Sequence, residues 1–432
     1  MMICNNLSVN ECGHLMFAGI DTVTMAKKYG TPLMLMDEAK IREKCSIYRN
    51  AMQENFTPDS MPLFASKALS FKYIYKIADS ENIGIDCVSA GEIYTAVKAG
   101  FPMEKAYFHG NSKTDDEIRF AMESKVGHFV CDSIEEVSVI NDIAKSMGLT
   151  QKVLLRITPG IDPHTHKKIS TGSVDSKFGV AIETKQAYEL VEKTLALSNI
   201  ELMGYHCHIG SQIFEHEPFC DAAKIMMKFI ADVQKMYGYT AKELNLGGGM
   251  GVRYTEQDPE IDYAANIKKI ADLLKELCSE YNLSLPKILM EPGRSIVADA
   301  GLTLYTAGYL KEITGLKNYI SIDGGMTDNP RFTLYQSPYT VVLANRMNEA
   351  NDYCCTVAGR CCESGDIIQE DVMMPKPKRN DIIAVLTTGA YNYAMASHYN
   401  KVPKPAVVMI KNKEDFVVIQ RETIEHMIAT EV

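Results

Sequence analysis

Eight short apolar runs, several rich in β-branched residues, recur between residues 62 and 293 with helix-length segments between them. They are PLFASKA (62–68), IGIDCVS (83–89), AYFHG (106–110), HFVCD (128–132), KVLLRI (152–157), LMGYHCHIG (202–210), ELNLGGG (243–249) and KILMEPG (287–293). The intervening segments, such as AGEIYTAVKAG (90–100) and SIEEVSVINDIAKSMG (133–148), place apolar residues at helical spacing. Strand–helix alternation implies parallel strands joined by right-handed crossovers, and eight such units imply a closed (β/α)8 barrel of the TIM type. A doubly wound open sheet is the alternative. After Gly301 the rhythm changes to strand-like segments separated by turns: LTLYTAGYLKEI, NYISIDGG, DYCCTVAGR, DIIAVLTTGAY and PAVVMI. The expectation is therefore an α/β chain with a barrel over 38–300. A second, mainly antiparallel β domain is expected from 301–432 together with 1–37, whose TPLMLMD is also strand-like.

Chemically capable residues fall where those runs end: Lys67, Asp86, His109, Asp132, Arg156, His206, His208, Gly247 to Gly249 and Glu291. In a barrel these ends converge on the mouth that carries active sites. Any one of them alone would be an ordinary packing or surface residue. Polar groups at eight consecutive strand ends point to the mouth as the functional site.

Lys plus Arg is 45 and Asp plus Glu is 55, a net charge of -10, which leaves no positive field to attract nucleic acid. No apolar run reaches the ~20 residues a membrane helix needs. The amino terminus lacks a signal-peptide pattern, so a cytoplasmic protein is expected. Twelve cysteines are then expected to be reduced thiols. No CxxC pair occurs, and in the doublets Cys354-Cys355 and Cys361-Cys362 neighbouring side chains point to opposite faces of an extended chain. His164, His166, His206 and His208 form two H-x-H pairs without a cysteine at the usual spacing, so no metal is expected.

Three pieces constrain the chemistry. NLGGGMG (245–251) can bring backbone N–H groups to an anion, and can equally be a tight packing turn. Lys67, in the apolar stretch FASKALS, can capture an aldehyde covalently, although a lysine reaching solvent would look the same. Glu291, in MEPGRSI, can hold a proton on a ring nitrogen while Arg294 grips a carboxylate; a plain Glu–Arg surface pair is the alternative. Lysine, anion cradle and acid together fit pyridoxal 5'-phosphate (PLP).

On its motifs the chain resembles the diaminopimelate decarboxylases, PLP enzymes that pair an alanine-racemase-like barrel with a β domain. The motifs run from about residue 30 to 400: FASKALS, IDCVSAGE, FHGNSKT, ITPGIDPHTHKKISTGSVDSKFG, HCHIGSQ, LNLGGGMG, EPGRSIVADAG, DGGMTDNPRFTLY, CCESGD and TGAYNYAMASHYN. The resemblance implies decarboxylation of meso-2,6-diaminopimelate to L-lysine, the last step of lysine biosynthesis. It implies that Lys67 carries the cofactor, with Asp86, His208, Ser211, Gly248, Gly249, Glu291, Gly293, Arg294 and Tyr391 also binding it. Arg294, Arg331 and Tyr335 would take substrate carboxylates, Glu363 the distal ammonium, and Tyr391 the substrate as well. Cys362 would be the proton donor, delivered by the partner subunit of a homodimer, with Cys361 a bystander. The rivals are a decarboxylase of arginine, ornithine or carboxynorspermidine on the same scaffold, an alanine-racemase-type enzyme, and a non-catalytic regulatory homologue; the last would lack the lysine or the cysteine. The chain departs from the family pattern at Leu69, where asparagine is common, at Asn329-Pro330, and at Arg379-Asn380, where a Gly-Asp turn is common.

Overall fold

The computed structural model describes residues 2–161 and 176–432. The resemblance-bearing stretch from His164 through Ser173 therefore lies outside the described residues. The chain divides into two units, Glu43–Gly251 with Ile261–Gly293, and Met1–Arg42 with Val252–Glu260 and Arg294–Val432.

The first unit is the barrel. All eight expected runs form parallel strands: Met61–Ala65, Gly84–Cys87, Ala106–Phe108, His128–Cys131, Gln151–Thr158, Ile200–His206, Glu243–Asn245 and Lys287–Met290. The last pairs back with the first, Leu289 opposite Met61, and so closes the sheet. A two-residue strand, Val180–Ala181, pairs in parallel with the end of the fifth, opposite Ile157 and Thr158. Leu63, Tyr107, Val130, Leu154, Met203 and Leu289 fill the interior. Three of the strand-to-helix turns repeat one device, a Ser or Thr followed three residues on by Glu. Ser89, Thr114 and Ser133 each accept the backbone N–H of Glu92, Glu117 and Glu136 respectively, ending the loop and starting the helix. Because these caps fix where each loop stops, they also fix the strand ends that carry polar side chains.

In the second unit one long strand, Gly301–Ile313, is the spine. It pairs antiparallel with Leu33–Asp37, Lys317–Ile322 and Ile382–Leu386. Ala406–Lys411 joins Leu33–Asp37 in parallel, and Tyr353–Ala358 joins Lys317–Ile322 in parallel, so the sheet is mainly rather than wholly antiparallel. Leu7–Val9, Leu15–Phe17 and Ile20–Asp21 form a small sheet of their own, and beyond residue 301 three strands lie outside the sequence expectation: Val341–Leu343, Ile367–Met374 and Glu414–Ile419. A short helix, Arg331–Tyr335, also interrupts what reads as turns between strands.

Candidate active site

In the barrel unit Glu291 follows the eighth strand and is 5% exposed. Its backbone N–H donates to Gly247 O at 2.8 Å, tying the seventh and eighth strand ends together. Asn245 Nδ2 donates to Oε1 at 2.7 Å, and His109 Nε2 lies 3.0 Å from the same oxygen. His206 Nε2 lies 3.3 Å from Oε2. Burial pushes the Glu291 carboxyl up, but His109 and then His206 outweigh it and hold the group well below the usual carboxylate range. Burial pushes His206 down to about 4, against the pull of Glu291. A neutral His206 facing an ionised Glu291 is the consistent pairing, with the imidazole donating. The three ligand-type atoms lie within 4.8 Å of one another, with the two imidazole Nε2 atoms 3.0 and 3.3 Å from the carboxylate, so the set reads as a proton-holding cluster.

The glycine turn is enforced by close approach. A Cβ on Gly248 would lie 2.0 Å from Glu291 O, and one on Gly249 2.3 Å from Gly210 O. Gly249 also has φ +124°, outside the range an L side chain favours. Gly293 lets the Glu-Pro-Gly turn pack on the first strand: its Cβ would meet that of Ala65 at 2.9 Å, and Ala65 N–H donates to Pro292 O at 3.1 Å.

Lys67 sits in the 3-10 turn Ser66–Ala68, just past the first strand. Ser66, Ala68 and Leu69 around it are buried, whereas Lys67 itself is exposed, as a lysine reaching solvent from an apolar stretch would be. Asp86 is 1% exposed and neither carboxylate oxygen has a hydrogen-bond partner. Burial raises its pKa, with His109, Lys67 and Arg156 pulling the other way. His208 is half-buried and its ring is held well below the normal histidine range by desolvation, then by Lys67 and Arg156, so it is neutral. Ser211 follows on the same loop, half-buried.

The second unit holds a cage of its own. Arg294 and Arg331 are 6% and 7% exposed. The Arg294 guanidinium lies 4.8 Å from the Tyr391 ring centre and donates to the Tyr254 hydroxyl at 2.6 Å. The Arg331 guanidinium lies 5.7 Å from the Tyr335 and Tyr391 rings and 5.8 Å from that of Tyr254. Arg331 donates to Ser337 Oγ at 3.1 Å, but its Nε has no partner, and among the described residues no carboxylate pairs with it. Tyr391 holds φ +62°, an uncommon conformation for a bulky residue and one that collects at functional sites. Tyr254 and Tyr339, packed edge-to-face at 5.3 Å, carry no role in the sequence reading.

The loop from Cys361 to Asp366 is pinned from within the same unit. Asp366 accepts N–H groups from Met326 at 2.6 Å and Cys361 at 2.7 Å, and Asn400 Oδ1 accepts the Cys362 N–H at 2.8 Å. Cys362 and Glu363 are exposed, whereas Cys361 is half-buried and its thiol is pushed up to about 11 by burial and Asp366. Cys354 is exposed and Cys355 buried, the alternation expected of an extended strand. All twelve cysteines are free thiols. Among the described residues no helix is long and apolar enough to cross a membrane.

Residues 38–298 match the family described as pyridoxal-dependent decarboxylase, pyridoxal binding domain. The chain is 44% identical over 419 residues to the diaminopimelate decarboxylase of Bacillus subtilis, covering 97% of this chain and 95% of that protein. It is 42% identical over 420 residues to the enzyme of the same name from Staphylococcus aureus, covering 97% and 98%. Among solved structures, the M. jannaschii diaminopimelate decarboxylase in complex with L-lysine matches with a TM-score of 0.91 at 32% identity, over 100% of this chain and 99% of that one.

Proposed function

The chain belongs to the diaminopimelate decarboxylases within the pyridoxal-dependent decarboxylases, and from that premise we propose how its residues divide the work of converting meso-2,6-diaminopimelate to L-lysine and CO2. The barrel residues fit PLP. An ionised, hydrogen-bonded Glu291 suits a pyridine nitrogen, the glycine turn leaves backbone room for a phosphate, and the orphaned oxygens of Asp86 await a donor. Bound PLP supplies an electron sink for the pair left when the Cα–carboxylate bond breaks.

Lys67 holds the cofactor through its accessible amine. Glu291 keeps a proton at the ring nitrogen. Gly248 and Gly249, with Ser211, Gly293 and Arg294, hold the phosphate, and the neutral His208 packs against the ring. Arg294, Arg331 and Tyr335 bind substrate carboxylates, Tyr391 meets both cofactor and substrate, and Glu363 takes the distal ammonium. Cys362 gives its proton to Cα in place of the lost carboxylate and regains one from solvent. Its exposure within one chain suits a thiol that acts in a partner subunit of a homodimer, and twelve free thiols suit a cytoplasmic location.

The observation that carries the substrate assignment is Arg331. A buried guanidinium with an unmet Nε needs an anion, and an amino acid whose far end is a bare amine would leave it uncompensated. A zwitterionic far end satisfies Arg331 and Glu363 together. The test is CO2 and lysine release from meso-diaminopimelate with PLP, beside arginine, ornithine and carboxynorspermidine. Turnover of one of the other three in preference would overturn the assignment of the pocket.

A further inference from the structure

Glu291 is a carboxylate almost wholly removed from water, and its ionisation has to be maintained by its neighbours. Three side chains from three other strand ends do this. Asn245 donates to Oε1 at 2.7 Å, His109 Nε2 lies 3.0 Å from the same oxygen as a close charge contact outside hydrogen-bond alignment, and His206 Nε2 meets Oε2 at 3.3 Å. Asn245 is itself held by its Oδ1, which accepts Gly247 N–H at 2.9 Å. The two imidazoles brace each other edge-to-face, ring centres 4.9 Å apart and planes at 75°. His206 is the last residue of its strand, in register with Arg156 on one side and Asn245 on the other, so its ring cannot drift without the sheet. Each carboxylate oxygen therefore has one imidazole, and the remaining lone pairs are left for one more donor. The other ionisable groups around the cluster are Asp86, Lys67, Glu92, Arg156, Cys207 and His208.

We infer that His109 and His206 are positioning residues for the decarboxylation. Their Nε2 atoms hold the Glu291 carboxylate ionised and oriented so that it keeps a proton on the cofactor's ring nitrogen. The inference rests on the reading of Glu291 as the ring-nitrogen partner and goes beyond it by assigning two residues that touch neither cofactor nor substrate in that reading.

The test compares PLP with its 1-deaza analogue, in which the ring nitrogen is replaced by C–H. Apoenzyme is titrated with each and the dissociation constant is read from the visible absorbance of the bound form. Wild type is expected to prefer PLP. His206→Leu is expected to weaken PLP about 10- to 100-fold, the range for a hydrogen bond to a charged group, His109→Leu to weaken it about 10-fold through the lost close contact with the carboxylate, and each to weaken the deaza analogue less than about threefold. His109→Gln and His206→Gln retain an N–H and are expected to recover part of the loss. They also replace the leucine variants should those not fold. Equal losses for both cofactors would reduce the histidines to packing and overturn the inference, leaving the role of Glu291 intact. A wild type indifferent to the ring nitrogen would overturn both.

Discussion

Replacing Gly248 with alanine puts a methyl group where the backbone of the eighth strand already is. The added Cβ would lie 2.0 Å from Glu291 O and 2.9 Å from its carbonyl carbon, both main-chain atoms that cannot swing aside. Ordinary contact needs about 3.5 Å, so the seventh and eighth strand ends must part by roughly 1.5 Å. Two hydrogen bonds cross that seam, Glu291 N–H to Gly247 O at 2.8 Å and Leu246 N–H to Leu289 O at 2.9 Å. Losing them costs about 0.5–1.5 kcal/mol each, and overpacking adds about 1–3 kcal/mol, for a total of about 2–6 kcal/mol. Against a typical stability of about 5–15 kcal/mol that is a large fraction. Gly91→Ala is the matched control. It lies on the exposed first turn of helix Ala90–Ala99, its Cβ would meet only Ser89 Oγ at 3.7 Å, and the change should stabilise by about 0.5–1 kcal/mol. Urea unfolding of the apo proteins by circular dichroism gives the stabilities, and titration with PLP gives the affinities. Unchanged stability in Gly248→Ala would refute the steric reasoning. Lost stability with unchanged PLP affinity would leave the packing argument standing and refute the phosphate cradle.

Arg331→Lys keeps the charge but loses the planar fork and the stacking on three tyrosine rings, so KM for diaminopimelate should rise about 10- to 100-fold with the fold intact; an unchanged KM in steady-state kinetics would remove Arg331 from the substrate site. Cys362→Ala should lower kcat by about 10²–10⁴, and Cys361→Ala by less than about threefold. Mixing Cys362→Ala with Lys67→Ala protein should restore activity if the thiol acts across subunits, and no recovery would return it to its own chain. On the barrel floor His128, stacked on Tyr107 at 4.3 Å, is pushed down to about 3 by burial, with Lys287 and Lys152 adding to it. The folded state thus binds fewer protons than the unfolded one between about 3 and the ordinary histidine value near 6.5, so this contribution is present above 6.5 and lost as pH falls towards 3. His128→Phe should flatten the stability profile between roughly pH 4.5 and 6.5 by up to about 1.4 kcal/mol per pH unit relative to wild type. Parallel profiles in urea unfolding would show that the ring does not titrate in this way.

What could be read from the chain alone divides along physical lines. Each barrel strand is an apolar run bounded by turn residues, and three of the barrel helices start at a Ser or Thr cap, so both leave local traces. The edge strand Glu414–Ile419 has no fully buried position, so its alternation carries almost no apolar signal. The helix Arg331–Tyr335 is five residues long and gives no period to detect; Pro330 opens it, which accommodates one of the departures from the family pattern. The other departures are absorbed as simply: Leu69 is buried core, and Asn380 takes φ +71°, which asparagine tolerates where a Gly-Asp turn is common. For the site, the strand-end position of His109, His206 and Glu291 was legible, because a barrel brings strand ends to one mouth. Their mutual contact was not. It depends on barrel closure and on the direction each side chain takes from its strand, and the three residues are separated by about a hundred positions each. The Arg331 cage is harder still, since Tyr254 and Tyr391 come from loops with no period at all. Spacing therefore finds residues that share a face, while the pairings that set protonation and charge require the closed fold. That is why His109 could be located from the sequence as a strand-end residue and yet be given no partner.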